Sequence, residues 1–319
     1  MYLQKTPFIE KYRPQKLDDI VSHENIIKAS KNFIKEKNLP HLLLYGPSGT
    51  GKTSIIKALS KELYNDSFNH MVLEINASEE RGIDIIRSRI LKFVSAKIFS
   101  SEISFRLVIL DEADEMTTDA QAILRKIIEK YTHNARFCLI CNYIKKIDIA
   151  IRSRCVSFKF SKLVDTAMKK YITKLTKNEN IDMSSSTLDY LITKTDGDMR
   201  KIINIIETIS SKYKKINIKI INEKFNFISD KEIDIIYDTI LNKSFNECYN
   251  VILKFLYDGF SLNSIIINII NKFIKEKTKK INMIFLLKFI GKEQFHCINN
   301  DINNIIPLIG LFKLAIIKK

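Results

Sequence analysis

One eight-residue segment, Gly46-Pro47-Ser48-Gly49-Thr50-Gly51-Lys52-Thr53, constrains the fold of this chain more than any other. It matches the pattern G-x-x-x-x-G-K-[ST] and lies between an apolar run, residues 41–45, and a segment of helical periodicity that begins at Lys52. Three of the chain's eight glycines fall in it, and glycine lets backbone N–H groups wrap around phosphate oxygens without side-chain clashes. Because the N-terminus of the following helix also favours anions, the segment predicts a phosphate-binding loop at the end of a buried strand.

Four side chains are predicted to supply the chemistry of this loop. Lys52 is expected to hold the β and γ phosphates of ATP, and Thr53 is expected to bind Mg²⁺. The apolar run 107–110 ends in Asp111-Glu112, and the carboxyl ends of parallel strands share one edge of a sheet, so both carboxylates should lie beside the loop. Asp111 would orient the magnesium shell and Glu112 would polarise the attacking water, since phosphoryl transfer depends on positioning and charge neutralisation.

The first half of the sequence alternates short apolar runs with segments of helical periodicity, which predicts an α/β domain with a parallel sheet and helices on both faces. Strands are predicted at 41–45, 71–75, 107–110, 137–141 and 156–160, and helices at 52–64, 83–93 and 117–131. After residue 160 the strand pattern stops. Because 319 residues exceed what one hydrophobic core usually holds, we predict three domains. They are the α/β domain at 1–160, a small helical domain at 161–227 and a second helical domain at 228–319.

The formal net charge of +16 favours a polyanionic partner such as nucleic acid. A coding sequence rich in A and T would give the same abundance of lysine without any such partner, so the charge leaves both interpretations open. The arginines are more informative, because all ten lie between Arg13 and Arg200. Function is therefore expected in the first two predicted domains, whereas the last one, which has no chemical motif, is expected to serve packing or assembly.

The cysteines and the N-terminus indicate a soluble protein of a reducing compartment. The five cysteines are scattered and have no zinc spacing. Cys138 and Cys141 have C-x-x-C spacing, but residues three apart on a strand point to opposite faces, so ordinary core cysteines are expected. Early charges such as Lys5 and Glu10 argue against a signal peptide, and no uncharged run reaches the length of a membrane span.

Together these segments resemble the AAA+ ATPases and, among them, the small subunits of replication factor C, a clamp loader. The resemblance runs almost continuously over residues 8–160, and Ser153-Arg154-Cys155 is its most specific part. Its other segments are Glu10-Lys11-Tyr12-Arg13-Pro14, the phosphate-binding loop, and residues 73–78, 111–114, 119–121 and 136–143. The resemblance implies an AAA+ P-loop sheet domain followed by a helical lid domain and a helical collar domain. It also implies a nuclear hetero-pentamer that uses ATP to load a sliding clamp onto primer-template DNA.

The resemblance also implies roles for residues outside the loop. Asn142 matches a sensor of the γ-phosphate or the lytic water, and Arg154 matches an arginine finger that completes the ATP site of a neighbouring subunit; a surface salt bridge is its plainer interpretation. Arg200, in Gly197-Asp198-Met199-Arg200, matches the second sensor in the lid. Asn76 matches a position that holds the catalytic glutamate inactive until DNA binds. The implied nucleotide contacts are Tyr12, Arg13, Pro14, Val21, Gly46, Pro47, Ser48, Gly49, Thr50, Gly51, Lys52, Thr53, Ser54, Asn142 and Arg200.

For the macromolecular partners the resemblance implies two further groups of residues. Arg81, Arg87 and Lys146 would track the phosphates of DNA inside a spiral of subunits, with affinity that depends on salt and not on sequence. A solvated basic face is the alternative for these three. Ile98 and Phe99 would fill an apolar pocket of the sliding clamp.

Several positions depart from the family pattern. Ser48 replaces the commoner second proline of the loop, Glu115 stands where alanine is usual, and Glu79 stands where aspartate is usual. Asp148 replaces a proline before the Ser-Arg-Cys helix, which makes the placement of Arg154 an open point. Two functional alternatives also remain: an assembly subunit that binds nucleotide but hydrolyses little, and an AAA+ remodeller such as a branch-migration motor, which Ser153-Arg154-Cys155 disfavours.

Overall fold

The computed structural model describes residues 6–79, 83–96 and 103–276 of the chain. Their contacts form two compact units, Met1–Ile216 and Asn217–Lys319. The first unit therefore contains both the sheet and most of the small helical domain that the sequence predicts. The three-part division at residues 160 and 227 stays a prediction. None of the described helices combines the length and the apolar character that crossing a bilayer requires.

A five-stranded parallel sheet organises the first unit, as the sequence predicts. Its strands are β1 (Leu42–Tyr45), β2 (Val72–Asn76), β3 (Arg106–Asp111), β4 (Ala135–Cys141) and β5 (Val156–Lys159). They lie in the order β2-β3-β4-β1-β5, so β1 and β3 flank β4. In the register, Tyr45 is opposite Cys141 and Asn76 is opposite Asp111. The carboxyl ends of these strands therefore meet at one edge.

Helices cover both faces of this sheet, which confirms the predicted fold class. The helices of this part of the chain are α1 (Phe8–Lys11), α2 (Glu24–Lys35), α3 (Lys52–Tyr64), α4 (Phe68–Met71), α5 (Ile83–Ser95), α6 (Thr118–Tyr131) and α7 (Ile149–Arg152), of which α2, α3, α5 and α6 supply most of the cover. One buried cluster joins α2 and α3 to alternate strand residues such as Leu42 and Leu44. A second buried cluster joins α5 and α6 to strand residues that point to the other face of the sheet, such as Leu43 and Val108. Alternation along the strands thus gives the sheet two apolar faces.

The two cysteines of the C-x-x-C spacing lie on opposite faces of the sheet, as the sequence predicts. Cys138 belongs to the cluster with α3, and Cys141 belongs to the cluster with α6. Burial raises the pKa of the Cys141 thiol to about 12 and that of Cys138 well above its usual range. Both side chains are therefore core residues, and opposite faces of one strand cannot be joined by a disulfide.

The small helical domain follows β5. Its helices are α8 (Asp165–Asn178), α9 (Ser185–Lys194) and α10 (Met199–Ser210). The expectation that no strand follows residue 160 is wrong, because β6 (Asp182–Met183) and β7 (Lys215–Ile216) form a parallel pair. Each has two residues, which is too short to produce the alternating pattern by which strands are recognised in a sequence.

The second unit is helical over its described residues, as predicted. It contains α11 (Ile218–Phe225), α12 (Asp230–Asn242), α13 (Phe245–Tyr257) and α14 (Leu262–Glu276). Ser229 and Ser244 begin α12 and α13 with capping boxes, in which each serine pairs with a glutamate three residues later. Ile236, Ile252 and Ile269 belong to one buried cluster that joins the last three helices.

His41, before β1, should make the stability of the first unit depend on pH. The ring is 8% exposed, and its Nδ1 accepts a hydrogen bond of 3.2 Å from the Phe137 backbone N–H. Burial, and secondly the nearby Arg136 charge, lower the pKa of His41 to about 4. In the unfolded chain the His41 imidazole takes up a proton below a pH of about 6.5, whereas in the folded chain it does so only near the lowered pKa. The free energy of unfolding should therefore fall by up to about 3 kcal/mol as the pH drops through that interval.

Urea unfolding at several pH values between about 7 and about 5 tests this, with His41→Gln as the control. Glutamine keeps an acceptor for the Phe137 N–H but does not titrate. The variant should lose most of the pH dependence in this interval. Equal dependence in both proteins would show that His41 is not its cause.

Candidate nucleotide-binding site

The loop between β1 and α3 has a backbone that glycine alone accommodates at two positions. Gly46 has φ 146°, and a Cβ there would lie 2.2 Å from the Phe160 carbonyl oxygen. Gly49 has φ 70°, and a Cβ there would lie 2.2 Å from a carboxylate oxygen of Asp198. Gly46 and Gly49 therefore allow the loop to pack closely against Phe160 at the end of the sheet and against Asp198 of the small helical domain, called the lid below. This adds to their predicted role, which is to let phosphate approach the backbone.

Lys52, the first residue of α3, lies at the centre of the site. Its Nζ donates to the carbonyl oxygens of Gly46 at 2.8 Å and Pro47 at 2.7 Å, and to Asn142 Oδ1 at 3.0 Å. Burial lowers the pKa of Lys52, and the charge of Asp111 is the largest opposing influence. The side chain is thus a buried ammonium held by acceptors of the loop and of the residue that follows β4, and it lines the cavity beside the loop.

Thr53 and Asp111 come together as the sequence predicts. The Thr53 hydroxyl donates to Asp111 Oδ2 at 2.9 Å, and the other carboxylate oxygen accepts the Glu112 backbone N–H at 2.9 Å. A hydroxyl and a carboxylate suit Mg²⁺, which takes few protein ligands and completes its shell with water and phosphate oxygens. Glu112 follows with φ 54°, a left-handed conformation that turns the chain sharply after β3.

A buried carboxylate that the sequence analysis left without a role positions Asn142. Asp114 is 6% exposed, and its Oδ2 accepts the backbone N–H groups of Asn142 at 3.3 Å and Tyr143 at 3.1 Å. It therefore holds the end of β4, which carries the Asn142 amide towards Lys52. The only signal in the sequence was its place in the Asp111-Glu112-Ala113-Asp114 segment, where it could equally have been a surface residue.

A cavity of about 250 Å³ lies beside the loop. Of the predicted contacts, its walls contain Tyr12, Arg13, Pro14, Val21, Ser48, Gly49, Thr50, Gly51, Lys52, Thr53, Ser54, Asp111, Glu112, Asn142 and Arg200. Gly46 and Pro47 are not part of its walls and contribute the carbonyl groups that hold Lys52. The cavity also has an apolar wall that was not predicted from the sequence, made by Leu163, Ala167, Met168, Tyr171, Met199 and Ile203. The apolar stripes of α8 and α10 were the signals for it, and a stripe does not reveal what it faces.

The N-terminal segment is tied to the end of α8. The Tyr12 hydroxyl donates to Glu179 Oε1 at 2.6 Å, and Lys11 forms an ion pair of 2.5 Å with the same oxygen. The Tyr171 hydroxyl donates to the Tyr12 carbonyl oxygen. These contacts close the apolar side of the cavity, which gives the site a part suited to a nucleotide base and a part suited to phosphates.

Asp198 joins the lid to the loop. It is the N-cap of α10, where Oδ1 accepts the backbone N–H groups of Arg200 at 3.0 Å and Lys201 at 3.2 Å. Its Oδ2 accepts a hydrogen bond of 3.2 Å from the Ser48 hydroxyl. Arg200, two residues after the cap, therefore lines the cavity next to the loop.

Arg154 lies outside the walls of this cavity, at a second cavity of about 290 Å³ that His41 and Arg136 also line. Its Nη2 forms an ion pair of 2.7 Å with Glu129, and its Nη1 donates to the Ala150 carbonyl oxygen at 2.7 Å. Asp148, the departure from the family pattern before this helix, accepts the Ala150 N–H at 2.6 Å and caps α7. An aspartate cap thus begins the helix where the family has proline.

The residues predicted to contact DNA and the clamp are only partly described. Lys146 is half-exposed and forms an ion pair of 3.0 Å with Glu115, which raises the pKa of Lys146. Arg81, the side chain of Arg87, Ile98 and Phe99 lie outside the described residues. Asn76, at the end of β2, donates from Nδ2 to Glu79 Oε1 at 3.1 Å.

Comparisons with known proteins agree with this geometry. Residues 42–163 match the ATPase family associated with various cellular activities (AAA), and residues 228–311 match the replication factor C C-terminal domain. The chain is 45% identical over 262 residues to replication factor C subunit 5 of Mus musculus, covering 82% of this chain and 77% of that protein. It is 38% identical over 283 residues to replication factor C subunit 3 of Schizosaccharomyces pombe, covering 88% and 82%.

A solved structure shares the fold at lower identity. The RuvB Holliday junction branch migration motor of Thermotoga maritima has a TM-score of 0.56 and 16% identity, covering 80% of this chain and 84% of that one. At this identity the likeness concerns the fold alone.

Proposed function

The chain belongs to the replication factor C family of AAA ATPases, and we propose that it is an ATPase subunit of a hetero-pentameric loader that places a sliding clamp on primer-template DNA. One observation carries the proposal: two hydrogen-bonded pairs, Lys52 with Asn142 and Thr53 with Asp111, lie side by side at a single edge of the sheet. A chain that used its fold only for assembly would not need these phosphate and magnesium ligands together.

In the proposed mechanism, the chain binds Mg-ATP between the loop and the lid. Lys52 and Arg200 neutralise the phosphates, while Thr53 and Asp111 would hold Mg²⁺, which would supply further neutralisation of the phosphate charge. Glu112 orients and polarises a water, and Asn142 positions the γ-phosphate or that water. The proton of the water passes to the Glu112 carboxylate as the water oxygen bonds to the γ-phosphorus, while the bond from that phosphorus to the β-phosphate oxygen breaks and ADP leaves with the electron pair. Nucleotide binding would close the spiral of subunits, and hydrolysis would release clamp and DNA.

Arg154 is proposed to act on a neighbouring subunit. It is placed away from the chain's own cavity, on the surface that carries α7. A guanidinium remains charged and spreads its donors over a plane, which suits the charge that develops on the transferred phosphoryl group. Its pairing with Glu129 holds the side chain at the surface with its charge already ordered.

Two segments favour subunit 5 in the animal naming as the counterpart of this chain. They are Val21-Ser22-His23 and Ser95-Ala96-Lys97-Ile98-Phe99 before the third strand. In the first, Val21 lines the cavity and His23 Nε2 lies 3.3 Å from the Thr50 carbonyl oxygen, so this segment touches the loop. The mouse relative of that name fits this assignment. Nuclear residence follows as part of the proposal, since clamp loading on chromosomal DNA takes place there.

Affinity purification of the tagged chain, followed by mass spectrometry, tests the proposed assembly. We expect the other replication factor C subunits in stoichiometric amounts, with the sliding clamp recovered when ATP is present. A homohexamer without those subunits would contradict the proposal and favour an AAA+ remodeller. The assembly-subunit alternative predicts the same partners, so only turnover measurements separate it from the first proposal.

Lys146 is proposed to contact a DNA phosphate, in competition with Glu115. Lys146→Ala should weaken binding of the assembled complex to primer-template DNA and lower the slope of log K against log salt by about 1, as expected for one lost phosphate contact. Glu115→Ala should strengthen binding, because it removes the carboxylate that pairs with the ammonium. Fluorescence anisotropy over a range of salt concentrations measures both.

Lys212→Ala is the matched control, because it removes the same charge from another exposed position. It should leave the slope unchanged. If Lys146→Ala behaved like this control, Lys146 would belong to a solvated basic face.

A further inference from the structure

The hydrogen bond between Ser48 and Asp198 connects two parts of the site that move independently if the lid opens. Ser48 is in the phosphate-binding loop, whereas Asp198 begins α10 of the lid, 150 residues later in the chain. The acceptor is the side-chain carboxylate of Asp198, and hydrogen bonds to charged groups are stronger than neutral ones. The contact therefore resists separation of α10 from the loop.

The packing around this bond shows that the carboxylate is seated against the loop. A Cβ on Gly49 would lie 2.2 Å from Asp198 Oδ1 and 2.8 Å from its carboxyl carbon. The same carboxylate accepts two backbone N–H groups of α10. Helix cap and loop contact thus share one side chain, so the first turn of α10, including Arg200, is fixed relative to the loop through Asp198.

Ser48 is the position at which this chain departs from the commoner proline of its family. Proline has neither a hydroxyl nor a backbone N–H to donate, so it could not form this hydrogen bond. The serine leaves the loop amides available for phosphate and adds a bond to the lid. The substitution therefore bears on lid closure and not on phosphate recognition.

We propose that the Ser48 hydroxyl and the Asp198 carboxylate form a latch that holds α10 against the phosphate-binding loop and slows release of the bound nucleotide. The latch rests on the proposed nucleotide site. It makes Ser48 and Asp198 positioning residues, which act through the lid, and it gives this subunit longer retention of nucleotide than a loop with proline at the same position.

Release of N-methylanthraniloyl-ADP from the full-length chain, followed by stopped-flow fluorescence in the presence of Mg²⁺, measures the latch. Ser48→Ala should speed release by about three- to tenfold, the range expected for one charge-assisted hydrogen bond. Ser48→Pro should do the same. Asp198→Asn keeps a capping side chain and should give a smaller increase, and Ser48→Ala should then add less in the Asp198→Asn background than alone.

Ser211→Ala, which removes an exposed hydroxyl at the other end of α10, is the control and should leave release unchanged. Hydrogen exchange without nucleotide supplies a second readout: Ser48→Ala should speed exchange of the amides at 198–201, with the rest of the chain unchanged. Unchanged release and exchange in Ser48→Ala, or effects of the two substitutions that simply multiply, would overturn the latch. A latch effect in a chain that fails to support clamp loading would instead overturn the proposed function alone.

Discussion

Lys52→Ala in the assembled complex should abolish DNA-stimulated ATP turnover at this site and block clamp loading. The substitution removes the charge that would face the phosphates, and it leaves oxygens of Gly46, Pro47 and Asn142 without this donor. Loss of one preorganised electrostatic contact to a reacting group typically lowers a rate by about 10²- to 10³-fold. Removal of this ammonium should also weaken nucleotide binding. Steady-state turnover with primer-template DNA and clamp, together with nucleotide binding, measures both effects.

Glu112→Gln separates binding from turnover. Its side chain keeps the size of glutamate but cannot accept a proton, so ATP should still bind while turnover falls by about 10²-fold or more. Unchanged turnover and loading in both variants would contradict the proposed function. Loss of loading in Lys52→Ala, with normal loading in Glu112→Gln, would favour the assembly subunit that binds nucleotide and hydrolyses little.

Arg154→Ala should lower turnover at the neighbouring subunit by about 10³-fold or more, the effect expected of an arginine finger, while nucleotide binding in the chain's own cavity is retained. The reason is positional, because Arg154 lies at a different cavity from the one that contains Lys52. Turnover of the assembled complex tests the expected loss at the neighbouring subunit. Nucleotide binding by the full-length chain tests the expected retention in its own cavity.

Two controls distinguish the finger from a surface salt bridge. Arg154→Lys keeps the charge but loses the planar array of donors, so it should restore only a small part of the activity. Glu129→Gln removes the carboxylate partner and leaves the guanidinium, so it should preserve turnover. If Arg154→Ala and Glu129→Gln lowered turnover equally and only slightly, the pair would be a structural salt bridge, and Arg154 would not act as an arginine finger.

The parts of the site that could be predicted from sequence are those whose chemistry needs a fixed local spacing. The P-loop must place glycines, Lys52 and Thr53 within eight residues, because one turn of chain has to surround a phosphate. Asp111 and Glu112 directly follow an apolar run, and the carboxyl ends of neighbouring parallel strands lie at the same edge of the sheet. The short distance between Thr53 and Asp111 is the result.

Asp114 and the lid wall could not be predicted in the same way. Whether a carboxylate is buried depends on which backbone N–H groups reach it, and those that Asp114 accepts come from Asn142 and Tyr143, in the loop that follows β4. Met168 and Ile203 belong to apolar stripes of helices, and a stripe indicates burial without naming the partner. The strands β6 and β7 were not predicted because two residues are too few to show the alternating pattern of a strand.

The sequence by itself determined the nucleotide-binding loop, the parallel sheet and the opposite facing of Cys138 and Cys141, because strand periodicity and loop chemistry act over a few residues. Only the tertiary structure decided that Asp198 of the lid contacts Ser48 of the loop, that Glu115 neutralises Lys146, and that Glu129 holds Arg154. These pairs join side chains 25 to 150 residues apart in the sequence, and the distances between them are set by how the helices and loops pack on the sheet. Hydrogen bonds and ion pairs act over a few ångströms, so only the folded chain selects which of many possible partners meet.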